Sequence, residues 1–310
     1  MFKRLELVLI AVCLFLTVAI VIDGLRKNSI AATAEFERVS DNALTALQSR
    51  MNLYLQSLNG AAGMMQTSEN TEYDDFEVYV QSLSIETYLP GINGIGFIAP
   101  VAADRLDEVI AKMRADGVAD FQVHPVTDND VKYIIKYIAP VSPNQQAVGL
   151  DISFEKGRRE AAERARETGL PQLTPRILLV QDATKKPGFL LLRPLYQETG
   201  SERGDFIGWV YAPFVGRNLL QGLTPDQHRT FDFHVYDGTV ADPETLIYSS
   251  DEGDEHVMGA YSRQYTVEFF GRPWTIQYQS TALFDALFPG RAPWLFLIAG
   301  FLVTAMLAVS

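Results

Sequence analysis

Cysteine is nearly absent. Of 310 residues only Cys13 is one, and it lies inside an apolar run. The rest of the chain therefore has no disulfides and must be held by a packed core, which about 260 residues can supply. Histidine is also scarce. His124, His228, His234 and His256 include no two spaced three or four residues apart, so there is no helical metal pair. His256 lies near Asp251, Glu252, Asp254 and Glu255, which reads better as a solvated loop than as a cation site. No cysteine nucleophile, G-x-S-x-G elbow or phosphate-binding glycine loop is present. GINGIG at Gly91 to Gly96 opens into a strand, whereas such a loop needs a strand followed by a helix. The expectation is no catalytic residue, no metal and no cofactor. Positive charge is the minority: 26 Lys and Arg against 38 Asp and Glu, for a net charge of -12. That counts against nucleic acid, or an anionic lipid surface, as a partner.

What is present is a layout. Leu7 to Ile22 is almost unbroken apolar sequence, and Trp294 to Val309 is a second such run. A helix crossing a bilayer needs about 20 mostly apolar residues, and each run reaches that length with its neighbours. Lys3 and Arg4 precede the first run, as cytoplasmic flanks do. A cleaved leader also begins with a basic region, but no small-x-small site follows Ile22 and a helical pattern continues outward. The expectation is a transmembrane helix at each end with a large domain on the far side. The sequence is still apolar at Ser310, which reads as a fragment with an output module cut away.

Between the runs, Val39, Ala43, Leu47, Met51, Leu55, Leu58, Ala62 and Met65 step by three or four, the spacing of one helix face. The helix spans about 28–66 and would be roughly 60 Å long. Its stripe suits a dimer seam or packing on its own domain. Ile92 to Ile98 and Lys132 to Ala139 read as strands, as does Ala147 to Ile152. Asp104 and Ser153 are expected helix caps, for helices that stop at Gly117 and Gly169. Two further strands are expected at Arg176 to Gln181 and Gly188 to Tyr196. A second, smaller unit begins at about Phe206, with strands at Phe231 to Tyr236, Leu246 to Ser249, Gln264 to Phe270 and Trp274 to Gln279. Antiparallel strands with helices on one side make an α+β domain. Beside these strands lie Asp151, which ends an apolar strand, Arg158 and Arg159, which open a helix, and Thr174. Asp151 either bonds backbone amides at the helix start or belongs to a site.

At these residues the chain resembles the CHASE domain, the extracytoplasmic sensor of bacterial and plant receptors. The blocks occur in order: GIGFIAPV at Gly94 to Val101, YIAPV at Tyr137 to Val141, GLDIS at Gly149 to Ser153, and RREAAERARETG at Arg158 to Gly169. LT at Leu173-Thr174, PGFLLLRPLY at Pro187 to Tyr196 and GWVYAPF at Gly208 to Phe214 follow. The resemblance implies a membrane-flanked long N-terminal helix followed by two tandem PAS-like domains. It also implies a small-molecule ligand in the membrane-distal one, a homodimer, and a cytoplasmic histidine kinase or diguanylate cyclase. The implied divisions are a transmembrane helix at 1–25, a signalling and dimerisation helix at 26–68, a ligand-binding domain at 69–200, a membrane-proximal domain at 201–285 and a second transmembrane helix at 290–310. The location is the bacterial inner membrane, with residues 26–290 in the periplasm.

The plant members bind cytokinins, and grip the adenine edge with an aspartate early in the helix after the GLD-type strand. The matching position here is Arg158. Arginine only donates hydrogen bonds, so cytokinin binding does not carry over. An arginine there suits a carboxylate or phosphate-bearing ligand, or else pairs with Asp151. The other expected pocket residues are Val180, Leu192, Thr174 and Tyr133, mostly apolar as ligand pockets are. The rival from another class is a periplasmic protein-interaction module with no small-molecule ligand.

Overall fold

The computed structural model describes residues 2–67, 73–180, 186–199, 202–223, 230–250 and 257–288, with residues 298, 300 and 302 beyond them. Helix α1 (Phe2–Thr67) runs unbroken for 66 residues, about 100 Å at 1.5 Å per residue. Its two halves differ in what surrounds them. Between Val8 and Ile22 large apolar side chains stand exposed; Phe15 is 73% exposed, and Val12, Leu14, Leu16 and Val18 are exposed around it. At 100° per residue these five point to different headings around the axis. From Ala32 onward one face is buried, with Phe36, Val39, Ala43, Leu47, Met51, Tyr54, Leu58 and Ala62 inside the core. That is the expected stripe, except that Tyr54 takes the interior place and Leu55 is half-buried. The Tyr54 hydroxyl donates to the Pro90 carbonyl, which satisfies the polar end of an otherwise apolar side chain. The chain itself covers the stripe.

Two antiparallel sheets follow. The first joins β1 (Ile95–Ala102), β2 (Val131–Ala139), β3 (Gln172–Leu173), β4 (Ile177–Leu178), β5 (Pro187–Thr199) and β6 (Glu202–Val215). Its order is β2-β1-β6-β5-β3, with β4 also on β5. The second joins β7 (Phe231–Asp237), β8 (Leu246–Ser249), β9 (Met258–Phe269) and β10 (Arg272–Thr281) in the order β8-β7-β10-β9. Strand residues alternate between faces, and β5 shows the consequence. Phe189, Leu191 and Leu195 join the core shared with α1 and the second sheet. Leu190 and Leu192 face the opposite way, into a core closed by α5 (Lys156–Thr168). The remaining helices are α2 (Tyr73–Ser82), α3 (Ile85–Tyr88), α4 (Leu106–Ala115), α6 (Gly216–Leu220) and α7 (Ala282–Leu287).

Several expectations are corrected. Strand β6, read as opening the second unit, pairs with both β1 and β5 and completes the first sheet. Residues 147–152 form no strand. Two 3-10 turns, Ser142–Ala147 and Ile152–Phe154, flank isolated bridges at Leu150 and Asp151. Gly149 at φ +82° turns the chain there, and the Asp151 side chain draws the Ser153 amide onto itself. Asp104 lies in a 3-10 turn, and no side chain caps α4. Ser153 likewise does not cap α5, whose N-cap is Glu155. Gly169 ends that helix as expected, at φ +72°, a conformation that costs glycine little.

Among the described residues no helix is long and apolar enough to cross a membrane. Of the first apolar run, the side chains of Leu7 and Leu9 lie outside the description. Of the second run only Ile298, Gly300 and Leu302 lie within it. Gly300 rests against the first run, because a methyl group there would meet the Thr17 side chain.

The sheets are tied by a short segment. The Leu173 amide donates to the Phe270 carbonyl at 3.0 Å, and the Arg176 amide donates to Asp237 Oδ2 at 2.9 Å. Asp237 also accepts from Arg272 Nη2 at 2.6 Å. Phe270, in the β9–β10 turn, has φ +49°, an uncommon value for a bulky residue.

Candidate functional site

Helix α5 lies against the first sheet because its inner face is small. Ala161, Ala162 and Ala165 are buried together with Arg158, the i, i+3, i+4, i+7 set of one helix face. The Trp209 indole N–H donates to the Ala162 carbonyl at 2.9 Å and fixes the distance from helix to sheet. Gly157 opens the helix where a Cβ would strike Pro175, so the first turn sits close to the β3–β4 segment.

Arg158 therefore points inward, and is 2% exposed. Its Nε donates to Glu155 Oε2 at 2.6 Å, and its Nη2 donates to the Leu178 carbonyl on β4 at 2.6 Å. The guanidinium also lies over the Phe154 ring, 5.4 Å from its centre. Its Nη1 has no hydrogen-bond partner among the described residues. Burial lowers the Arg158 pKa from its usual value, and the Glu155 charge opposes that. The cation is thus largely desolvated and paired with one carboxylate, which offsets part of the cost of burying it.

The central strand β6 supplies the counterpart. Tyr211 is paired across the sheet with Gly96 on β1 and Leu192 on β5. A methyl group at Gly96 would meet the Tyr211 ring, so glycine makes room for it. The Tyr211 hydroxyl is buried and has no hydrogen-bond partner. Burial raises its pKa, while the positive charge of Arg158 pulls it back. The hydroxyl therefore stays protonated.

The other expected residues separate into groups. Leu192 and Tyr133 are buried in the α5-side core, and Val180 is packed at its edge. The Tyr133 hydroxyl lies 3.4 Å from Glu163 Oε1. Thr174 exchanges bonds with Leu190: its amide donates to the Leu190 carbonyl at 3.0 Å, and its hydroxyl accepts the Leu190 amide at 2.9 Å. It continues the sheet's ladder. Asp151 is closed off in a knot of its own. Oδ1 accepts from the Ser153 hydroxyl at 2.6 Å, the Tyr133 amide at 2.9 Å and the Ser153 amide at 3.0 Å. Oδ2 accepts from the Thr127 hydroxyl at 2.7 Å. The alternative of an Arg158–Asp151 pair is thus corrected: Glu155, one turn back on the same helix, takes that place.

Tyr211, Glu155 and Phe154 were missed from the sequence. The only signal for Tyr211 was the alternation in GWVYAPF, which puts Trp209 and Tyr211 on one face. Among the described residues no cluster of His, Cys, Asp or Glu could hold a metal. The acidic loop 251–256 lies outside them.

A family model described as CHASE domain matches residues 69–248, more than half of the chain, from α2 through β8. Comparison with curated proteins gives no match. Among solved structures, the periplasmic sensory domain of the Campylobacter jejuni chemoreceptor Tlp1 is similar. It has 9% identity, covers 80% of this chain and 94% of that one, and gives a TM-score of 0.51. The ligand-binding domain of a Pseudomonas aeruginosa amino acid chemoreceptor, in complex with GABA, has 10% identity, 80% and 99% coverage, and a TM-score of 0.47. The first likeness bears on the fold alone.

Proposed function

We propose, from the premise that the chain belongs to the CHASE-domain family, a membrane-anchored sensor that binds a small molecule on the α5 side of its first sheet. As a member of that family the chain is an extracytoplasmic ligand-sensing module of a signalling receptor. The observation that carries the ligand reading is a buried hydroxyl without a partner, that of Tyr211, on the face where the charged Arg158 is also buried. Buried polar groups are nearly always satisfied, so the unpartnered Tyr211 hydroxyl, on the face where Arg158 is buried, calls for a partner that the protein itself does not supply.

The finer parts of the proposal have separate support. The exposed apolar side chains from Val8 to Ile22 and the seat of Gly300 on Thr17 fit two membrane spans packed together, with residues 26–290 in the periplasm. The two sheets, each antiparallel and each beside α1, fit two PAS-like units in tandem. A second copy would pair along the exposed part of α1. The receptor would then drive a histidine kinase or a diguanylate cyclase.

The mechanism is a shift between two arrangements that the ligand binds unequally. Arg158 holds the Leu178 carbonyl on β4, and the β3–β4 segment holds Phe270 and Asp237 of the second sheet. A ligand that re-aims Arg158 therefore pulls on the link between the sheets, and α7 and α1 carry the change toward the membrane.

The test is thermal unfolding of the full chain in lipid nanodiscs, with organic acids, amino acids, adenine-type compounds and phosphorylated metabolites. A ligand at 100 times its dissociation constant adds about 2.7 kcal/mol, roughly 5–10 °C for a domain of this size. At least one class is expected to produce that shift. No shift with any of them would replace the sensor by a protein-docking module.

A further inference from the structure

We infer that the groove between α1 and α7 holds the tail of a single-chain zwitterionic lipid, whose phosphate and ammonium take over the Arg38–Glu35 pair at its rim. The inference lies outside the α5 site and rests on the proposed membrane spans.

The groove follows from side-chain size. Ala31, Ala34, Glu35 and Arg38 line it from α1, the i, i+3, i+4, i+7 set of one helix face. On the neighbouring face Phe36 packs edge-on against Phe284 of α7, with ring centres 5.7 Å apart. That aromatic pair holds α7 off the helix, and the two alanines beside it are too short to fill the gap. Lower down, Asn28 Nδ2 donates to the Phe288 carbonyl at 2.5 Å and ties the end of α7 to α1. Spacer and tie leave about 570 Å³ between them. The floor is apolar: Val39, Phe231 and Phe284 are buried there. An extended peptide would need partners for its backbone amides and carbonyls, which such walls do not offer. An alkyl chain has no polar group to satisfy.

Position supplies the occupant. Asn28 stands six residues beyond Ile22, about 9 Å along the helix. The polar layer of a bilayer adds roughly 5–7 Å to each side of its hydrocarbon core. The lower end of the groove therefore opens just outside the headgroups. Ile22 and Leu25 on α1 and Leu287 on α7 are exposed around that opening, so an apolar path joins the membrane run to the groove. A lipid with two tails would leave one of them in water when it rose into the groove. A single tail avoids that cost.

The rim selects the head. Arg38 Nη2 lies 2.6 Å from Glu35 Oε1, and both residues line the groove. The pair is solvent-exposed and adds little to the fold, so its two halves are available for exchange. A phosphate answers Arg38 and an ammonium answers Glu35. An anionic head would face Glu35 with like charge.

The experiment uses the full chain in phosphatidylcholine nanodiscs doped with a diazirine-tailed lysophosphatidylcholine. The same tail as a fatty acid and as a monoacylglycerol makes two further arms, and cross-links are mapped by mass spectrometry. The zwitterion should label residues 31–39 and 284–288 as well as 8–22. The other two heads should label 8–22 equally and the groove about fivefold less or weaker. Ala34→Phe fills the groove from an exposed position, and should remove groove labelling while leaving the melting temperature and the labelling of 8–22 unchanged. Arg38→Gln should lower groove labelling by the zwitterion about fivefold.

The assignment is overturned if the groove stays unlabelled while 8–22 is labelled, or if all three heads label it alike. It is also overturned if Ala34→Phe leaves groove labelling intact, or if that variant changes the oligomeric state by light scattering, which gives the groove to a second copy. Labelling of 8–22 in no arm removes the membrane spans themselves, and the lipid with them.

Discussion

Asp151 separates a structural role from a ligand-binding one. It is wholly buried, and both of its oxygens are committed: to the Tyr133 and Ser153 amides, to the Ser153 hydroxyl, and to Thr127. Asp151→Ala would leave the two amides without an acceptor, at about 1–3 kcal/mol each. The hydroxyls can turn elsewhere, and Thr127 keeps its bond from Lys132 Nζ at 2.9 Å. Removing a desolvated carboxylate returns part of the cost, so a net loss of about 3 kcal/mol is expected. That is a large share of a total stability of roughly 5–15 kcal/mol, and lowers the melting temperature by about 6–12 °C. Asp151→Asn keeps one oxygen and should lose about half as much. The assay is thermal and urea unfolding of the full chain, followed by tryptophan fluorescence, with ligand titration of the folded variant well below its melting point. If Asp151→Ala melts like the parent but no longer binds ligand, then the carboxylate faces the ligand and not the backbone.

Other residues give sharper single readouts. Leu47→Ala and Leu58→Ala should each cost about 2–5 kcal/mol, the range for fully buried leucines, and leave the oligomeric state by light scattering unchanged, because α1 buries this face in its own core. Glu155→Gln should lower the melting temperature of the free protein, because it leaves the buried Arg158 cation without its counter-charge. Asp237→Ala removes the acceptor shared by Arg272 and the Arg176 amide. The loss is roughly 2–3 kcal/mol, below the fully buried range because Arg272 is partly exposed. Ligand binding should persist, and ligand-induced protection of β9–β10 amides in hydrogen exchange should vanish. Gly149→Ala forces a side chain into φ +82° against the Gln122 carbonyl, and should cost well over about 1 kcal/mol in the unfolding midpoint.

The fold was legible wherever periodicity carried it. A stepping stripe such as Val39, Ala43, Leu47 and Met51 marks one helix face, and the run Lys132 to Ala139 with its tyrosines marks a strand, although the fold buries both faces of it. Residues 147–152 misled because VGLDI is as apolar as a strand. The deciding facts are one glycine at positive φ and one carboxylate that captures the Ser153 amide, and neither has a period. Strand β6 misled for a different reason. A strand's local pattern names its two faces but not its neighbours, and pairing with β1 about 110 residues earlier is a long-range fact that no local window contains.

The site was half legible, and the missing half follows a rule. Arg158 could be picked out because it stands on the inner face of a helix otherwise lined with alanine, where a long cation needs a reason. Its partner could not be chosen by proximity to a conspicuous acid. Asp151 is closer in kind to a functional carboxylate, yet both of its oxygens are already engaged by amides and hydroxyls. Glu155 looked like an ordinary surface residue, but as the N-cap three positions before Arg158 it is the acid to which the guanidinium donates. Tyr211 was hidden because a tyrosine in a central strand is usually core, and only the lack of a partner for its hydroxyl sets it apart. The candidate site is marked by a bond not made, that of the Tyr211 hydroxyl. It becomes visible only once every donor and acceptor in the neighbourhood has been placed, and the sequence lists the donors without saying which of them stay unanswered.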